Sequence, residues 1–131
     1  AYAIEAAEQC ERMDVPEIEE CKDLRTLLGA WPDDRTLLFA DETGGGQDLK
    51  QLLPALSATG RYGVLVGPEG GFSAEERALL RSHARVKAFG MGPRILRADT
   101  AMVAALACLQ AWTGDWQEPP NYLSHDAKEV E

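Results

Sequence analysis

The sequence predicts an α/β domain with a mainly parallel sheet and helices on both faces. Three short apolar runs typical of strands alternate with segments of helical periodicity, and such alternation favours parallel strands joined through helices. The run YGVLVG is bounded by glycines, which indicates a strand buried on both faces. With 131 residues, 45% of them hydrophobic and 27% charged, the chain has the size and composition of one soluble globular domain.

The first quarter of the chain contains two predicted helices and no predicted strand. Apolar residues recur at helical spacing from Ala3 to Met13, with glutamates on the other face. Residues 15–18 are expected to be extended, because Val15 precedes a proline. Leucines then predict a short helix that Gly29 ends. Because the first helix has neither an N-cap nor a strand before it, we expect that the start of a larger domain is missing.

Strand and helix signals then alternate along the middle of the chain. A strand is expected over residues 35–42, followed by three glycines that lack the lysine of a Walker loop and form a flexible connector. A helix is expected over residues 47–56, where Pro54 limits its C-terminal end. The glycine-bounded strand covers residues 62–67, and another short strand covers residues 86–89.

The last predicted helix covers residues 100–113, which are apolar almost all round, and Gly114 ends it. A helix that is apolar on all sides must be buried on all sides, and a small sheet covers only one of them. We therefore expect a homodimer through this C-terminal helix; the alternative is a central helix wrapped by its own domain. The polar tail over residues 115–131 is expected to be frayed or loosely docked.

The charge distribution bears on the class of partner. A net charge of −9 argues against a nucleic-acid partner. However, the segment from Arg61 to Arg97 holds seven basic and three acidic residues, which gives +4 there and leaves −13 for the rest of the chain. Either an RNA-facing surface or a solvated helix face that carries arginines fits this pattern. No apolar run reaches the roughly 18 residues of a membrane span, so we expect no membrane partner.

Cysteine and histidine content predicts neither disulfides nor a metal site. The three cysteines are odd in number and widely spaced, which favours buried free thiols in a reducing cytoplasm. The two histidines lie far from any cysteine in the sequence, so we expect no metal ion. The N-terminus has no signal-peptide pattern, and the predicted location is cytoplasmic.

Two glycine-rich loops follow predicted strands, and a third candidate loop covers residues 40–42. Ligands of open α/β sheets bind at the carboxyl ends of the strands. In the loop from Gly67 to Gly71, glycines allow close backbone approach to a ligand. Taken alone, however, this loop favours the simpler interpretation of a tight turn into a helix capped by Ser73 and Glu76.

The second loop, GMGPRILRADTA, favours a binding site. Its glycines, proline and two arginines precede a helix N-terminus, which offers free N–H groups and positive potential. Ile95 and Leu96 interrupt the polar residues, as the wall of an apolar pocket would. The spacing does not match a dinucleotide fingerprint. Together the loops predict a site for a flat, partly apolar ligand held by backbone groups.

Three motifs occur in order along the chain: EAAEQCER…VPEI, LVGPEGGFSAEE and GMGPRILRADTA. Together they resemble successive motifs of the RsmE methyltransferases, which belong to the SPOUT class. The resemblance covers residues 1–114, which we therefore expect to form a SPOUT methyltransferase domain. It implies S-adenosylmethionine as methyl donor, a C-terminal trefoil knot that holds the donor, and a homodimer. It further implies methylation of N3 of a uridine in small-subunit ribosomal RNA.

The chain differs from this family in two respects. The family carries a small basic RNA-binding domain and a first strand before the first helix, and neither precedes that helix in this sequence. The family usually has glutamate where this chain has Asp99, which affects any role that requires the longer side chain.

The resemblance also implies roles for individual residues. Gly67 and Gly71 are expected to approach the donor, and Ala40 closes a third side of its site. Glu69 either forms a hydrogen bond with the donor or ends a turn. The adenosine and methionine parts of the donor are expected to lie against a further group of residues: Met91, Gly92, Ile95, Leu96 and Ala101.

Three charged residues are expected to act on RNA. Arg97 is expected to face the uridine or its phosphate, because a positive charge at a helix start opposes the helix dipole and is unfavourable as a purely structural feature. Asp99 is either a proton acceptor or, as is commoner for Asp before a helix, an N-cap. Arg94 meets an RNA phosphate or solvent.

The predicted function is therefore S-adenosylmethionine-dependent methylation of uridine N3 in small-subunit ribosomal RNA. One alternative is another SPOUT RNA methyltransferase, which acts on transfer RNA or on a ribose 2′-hydroxyl. The other is a dimeric module that binds a ligand or partner without catalysis.

Overall fold

A four-stranded parallel sheet organises residues 23–117 in the computed structural model, which describes residues 1–120. The strand order is β2-β4-β1-β3, and each pairing is parallel. The strands are β1 Arg35–Ala40, β2 Gln47–Asp48, β3 Arg61–Leu65 and β4 Val86–Gly90. The helices of this unit are α2 Leu24–Gly29, α3 Leu49–Ala55, α4 Ala74–Ser82 and α5 Ala98–Thr113, followed by a 3₁₀ turn over Asp115–Gln117.

Helices cover both faces of the sheet. Successive side chains of a strand point to opposite faces, and β1 accordingly contributes to two hydrophobic clusters. Leu38 packs with residues of α3 and α5, whereas Phe39 packs with residues of α2 and α4. Leu52 of α3 and Leu80 of α4 are both fully buried. The predicted fold class, an α/β domain with a mainly parallel sheet and helices on both faces, is thus confirmed, while the trefoil knot stays a prediction.

The central, buried strand of the sheet is not the strand that the sequence predicted. The prediction that the YGVLVG strand is buried on both faces was wrong, because β3 lies at the sheet edge and its residues are half-buried or exposed. The buried central strand is β1, whose last four residues are all buried. The start of the predicted helix over 47–56 was also wrong, since Gln47 and Asp48 pair with Phe89 and Gly90 as a short edge strand.

Residues 1–22 belong to a separate unit and are described alone. Helix α1 covers Tyr2–Gln9 and is shorter than the expected helix from Ala3 to Met13. Residues 15–18 lie outside helices and strands. The prediction of buried thiols was wrong for Cys10 and Cys21, which are exposed because they lie beyond the end of α1 and in the irregular segment.

The end of the chain is described only in part. After α5, the side-chain amide of Gln117 donates a hydrogen bond to the carbonyl oxygen of Ala111 (3.1 Å), which connects the 3₁₀ turn to the helix. Residues 121–131 of the predicted tail lie outside the described residues. Within residues 1–120, no helix is long and apolar enough to cross a membrane.

Candidate functional site

A cavity of about 300 Å³ lies where the chain leaves the carboxyl ends of β1, β3 and β4. Parallel strands bring these three ends to the same edge of the sheet, which is where open α/β sheets bind ligands. The start of α5 adds Ala101, which is buried. The candidate loops identified in the sequence therefore meet around a single space.

The cavity lining contains every residue predicted to hold a cofactor. These residues are Ala40, Gly67, Glu69, Gly71, Met91, Gly92, Ile95, Leu96 and Ala101. Arg94 also belongs to the lining, whereas Arg97, the N-cap of α5, and Asp99, in its first turn, lie outside the lining. Ile95 is 86% exposed, so its side chain lies at the rim.

The loop after β3 needs two of its glycines for steric reasons. Gly71 has φ +70°, and a Cβ atom there would collide with the carboxylate of Glu42. A Cβ atom on Gly67 would lie 2.6 Å from the ring of Phe72. The predicted capping box follows and is confirmed, since the Ser73 amide donates to Glu76 (2.7 Å) and the Glu76 amide donates to the Ser73 hydroxyl (3.1 Å). The loop is therefore both a capped turn and a wall of the cavity.

The loop after β4 presents backbone groups to the cavity. Gly92 has φ +91°, a conformation that favours glycine. Among residues 1–120, the amides of Gly67, Met91 and Gly92 donate no hydrogen bond to another protein group. Polar backbone groups that the protein does not pair are available to a ligand. A flat ligand with polar edges and an apolar body therefore suits this lining.

The N-cap interpretation of Asp99 was wrong. Helix α5 begins at Ala98 and its N-cap is Arg97, which makes no side-chain capping bond. Asp99 is the second residue of the helix, and its carboxylate accepts a hydrogen bond from the Thr100 amide (2.9 Å). The Arg97 guanidinium lies 3.6 Å from this carboxylate, and both side chains are largely exposed. Both side chains are therefore accessible at the start of α5.

The sequence analysis did not identify a half-buried ion pair at the cavity wall, which joins Asp41 to Arg81. Asp41 follows β1, and its side chain is fully buried. Its carboxylate accepts hydrogen bonds from the amide and hydroxyl of Thr43 (3.0 and 2.6 Å) and from the guanidinium of Arg81 on α4. Burial, the largest influence, raises the pKa of Asp41, but these hydrogen bonds and the charge of Arg81 together lower it below the ordinary value. Because Asp41 and Arg81 are 40 residues apart in the sequence, no local sequence pattern could predict this pair.

Glu42 is a second residue to which sequence reasoning gave no role. It lines the cavity, and its Oε1 lies 3.4 Å from the amide nitrogen of Phe72. The sequence feature that could have identified Glu42 is its position in the third candidate loop, residues 40–42, at the end of a predicted strand. Within residues 1–120, no three His, Cys, Asp or Glu side chains are grouped as metal ligands would be.

Comparisons with known proteins agree with this architecture. A family model described as an RNA methyltransferase domain matches residues 1–110. The chain is 34% identical to the ribosomal RNA small subunit methyltransferase E of Rickettsia conorii over 104 residues, which cover 79% of this chain and 42% of that protein. It is 31% identical to the protein of the same name from Bacillus subtilis over 115 residues, which cover 85% and 44% of the two chains.

A solved structure is also similar. The crystal structure of a ribosomal RNA small subunit methyltransferase E from Neisseria gonorrhoeae, bound to S-adenosyl methionine, superimposes with a TM-score of 0.72 and 29% identity. The match covers 87% of this chain and 46% of that one. The chain thus spans less than half the length of these relatives. On the evidence of the family model, the chain belongs to the RNA methyltransferase domain family.

Proposed function

We propose that this chain is the donor-binding catalytic domain of an S-adenosylmethionine-dependent methyltransferase that modifies N3 of a uridine in small-subunit ribosomal RNA. The observation that carries the proposal is the single cavity in which both glycine-rich loops, the end of β1 and the start of α5 meet. Relatives named for ribosomal RNA methylation, one of them solved with S-adenosyl methionine, support the choice of donor and substrate.

The lining suits this donor in size and chemistry. About 300 Å³ is at the lower end of the range for small-molecule sites. Met91, Leu96 and Ala101 offer apolar surface to the adenosine, while unpaired backbone amides offer hydrogen bonds to polar edges. The glycines at 67 and 71 leave room that a side chain would fill.

The bound donor supplies an electrophilic methyl group on a sulfonium, and the protein's part is to position the acceptor and handle one proton. Uridine N3 carries a proton at neutral pH, which must leave as the N–CH₃ bond forms and the S–CH₃ bond breaks. In this proposal, the Arg97 guanidinium stabilises the uridinate or binds its phosphate, and the Asp99 carboxylate accepts the proton. Arg94, at the cavity lining, binds an RNA phosphate.

Donor binding is tested by Gly71→Val. S-adenosylmethionine should raise the melting temperature of the wild-type chain, because it binds the native state only. Valine at this position requires a left-handed backbone conformation and overlaps the Glu42 carboxylate, so the shift should disappear. Differential scanning fluorimetry measures both proteins, with Gly29→Val as the matched control, since Gly29 lies in α2 outside the cavity and a Cβ atom there meets nothing within 4 Å. A shift retained in Gly71→Val would contradict this site.

The position of methylation needs a separate measurement on the complete protein. Ribosomal RNA methylated in vitro can be digested and analysed by mass spectrometry. A base methyl at uridine N3 is expected. A methyl on a ribose 2′-hydroxyl, or transfer only to transfer RNA, would favour the alternative SPOUT activities, and donor binding without any transfer would favour a non-catalytic module.

We also propose that the chain forms a homodimer through α5. Three large apolar side chains of this helix are exposed in the single chain: Val103 (69%), Leu106 (43%) and Trp112 (54%). Ala101 and Ala105, by contrast, are buried on the sheet side. A closed twofold dimer, the commonest symmetric assembly of soluble proteins, would bury this exposed apolar face.

Light scattering at micromolar concentration tests the dimer. The wild-type chain should show about twice its mass of 14.3 kDa. Val103→Glu should shift the population to the monomer, because it places a charge in the proposed interface. Gln51→Glu, which adds the same charge at an exposed position of α3, should leave the dimer unchanged. A wild-type mass near 14.3 kDa, with or without donor, would rule the dimer out.

A further inference from the structure

We infer that Glu42 is a specificity-determining residue of the cavity, whose carboxylate favours the positively charged methyl donor over its neutral, demethylated product. The inference rests on the proposed function, because it assumes that the cavity holds S-adenosylmethionine. The donor carries a sulfonium, an ammonium and a carboxylate, for a net charge of about +1 at neutral pH, whereas S-adenosylhomocysteine has lost the sulfonium charge. A negative charge in the cavity therefore attracts the donor more strongly than the product, because only the donor carries the sulfonium charge.

The backbone on both sides of Glu42 is held in place. On one side, Asp41 is buried, its amide donates to the Phe89 carbonyl oxygen (2.9 Å), and Arg81 binds its carboxylate. On the other side, the Thr43 amide and hydroxyl both donate to that same carboxylate. Glu42 is thus the middle residue of a turn closed by an Asp side chain, and this turn is anchored to α4.

The side chain of Glu42 reaches across the cavity toward the other glycine-rich loop. Its Oε1 lies 3.4 Å from the Phe72 amide nitrogen, which is a long and therefore weak hydrogen bond. The same oxygen lies beside Gly71, where a Cβ atom would overlap it, so only glycine leaves room for the Glu42 carboxylate at this position. Gly71 of the LVGPEGG loop therefore leaves space for a carboxylate from the turn after β1 as well as for a ligand.

The charge of Glu42 is uncompensated, unlike that of its neighbour. Asp41 is neutralised by Arg81. Within the described part of the chain, no lysine or arginine forms an ion pair with Glu42. Glu69 also lines the cavity, but its side chain makes no hydrogen bond within residues 1–120, whereas the Glu42 carboxylate contacts the Phe72 amide. A charge that is fixed before the ligand arrives stabilises a cation more effectively than one that must be ordered.

Glu42→Gln tests this inference because it removes the charge and keeps the shape. Isothermal titration calorimetry on the 131-residue chain would compare S-adenosylmethionine, S-adenosylhomocysteine and sinefungin, in which a protonated amine replaces the methylsulfonium. We expect the affinity for the two cationic ligands to fall about tenfold and that for S-adenosylhomocysteine to fall less than about threefold. Glu75→Gln, which removes the same charge from exposed α4 outside the cavity, should change none of the three affinities.

The possible outcomes separate this inference from the proposed function. If the wild-type chain binds none of the three ligands, the proposed function fails and the inference fails with it. If it binds them and Glu42→Gln weakens all three equally, Glu42 contacts a part that the ligands share, and the assignment to the sulfonium is wrong. The inference would also be overturned if the ratio of the affinities for S-adenosylmethionine and S-adenosylhomocysteine changed in Glu69→Gln and not in Glu42→Gln. Because Glu42 is exposed, its variant should keep the wild-type melting temperature, which circular dichroism checks.

Discussion

Arg97→Ala is expected to lower methylation of ribosomal RNA by about two to three orders of magnitude, the usual effect of removing one group that stabilises charge in a transition state. The side chain is 80% exposed beside the cavity and makes no capping bond, so the structure gives it little to do within the fold. The measurement is single-turnover methyl transfer by the complete protein. Arg85→Ala, which removes another exposed arginine outside the cavity, is the matched control.

Arg97→Ala should leave donor binding unchanged and should not lower the stability of the fold. Its ion pair with Asp99 is exposed and long, and such pairs contribute little to stability. A positive charge at a helix N-terminus is itself unfavourable, so its removal should leave the melting temperature equal or slightly higher. The hydrogen bond from the Ala101 amide to the Arg97 carbonyl oxygen involves only backbone atoms and persists in the variant. Activity that survives within a few-fold would refute the assigned role.

Arg81→Met is expected to lower the free energy of unfolding by about 2 kcal/mol, because it leaves the buried Asp41 carboxylate without its cation. The value lies below the usual cost of breaking a buried pair, since the Arg81 side chain is 46% exposed and water reaches it. For a domain of this size, the melting temperature should fall by about 8 °C. Urea denaturation gives the free energy, and Arg81→Lys, which keeps the charge, should recover part of it.

The effect of Arg81→Met should depend on pH. The pKa of Asp41 is lowered in the folded chain, so the stability it contributes is fully present above its ordinary pKa of 3.8. That stability is lost as the pH falls through the lower, folded-state pKa. The difference between wild type and variant should therefore be constant near neutrality and shrink below about pH 4. A difference that is unchanged down to pH 3, or absent at pH 7, would contradict the role of this pair.

Much of the site could be predicted because its residues are contiguous in the sequence. The glycines of each loop, the Ser73–Glu76 capping box and the apolar pair Ile95 and Leu96 are all local patterns. Local sterics and strand direction then suffice to bring the loops together, because parallel strands end at one edge of the sheet. Local patterns also gave the class of each α-helix and of the three longer strands. They missed the short strand at Gln47 and Asp48, which follows the register of β4 instead of helical propensity, and the 3₁₀ turn over Asp115–Gln117.

Local sequence patterns established the alternation of strands and helices, the two glycine-rich loops, and the apolar final helix. The three-dimensional structure was needed to place β1 at the buried centre of the sheet and β3 at its edge, because sheet order depends on long-range pairing. It alone placed Arg81 against Asp41, and the Glu42 carboxylate beside Gly71. These contacts join residues about 30 to 40 positions apart in the sequence. The distances between them are set by how the helices and strand ends pack in the folded domain, and a local sequence pattern carries no information about that packing.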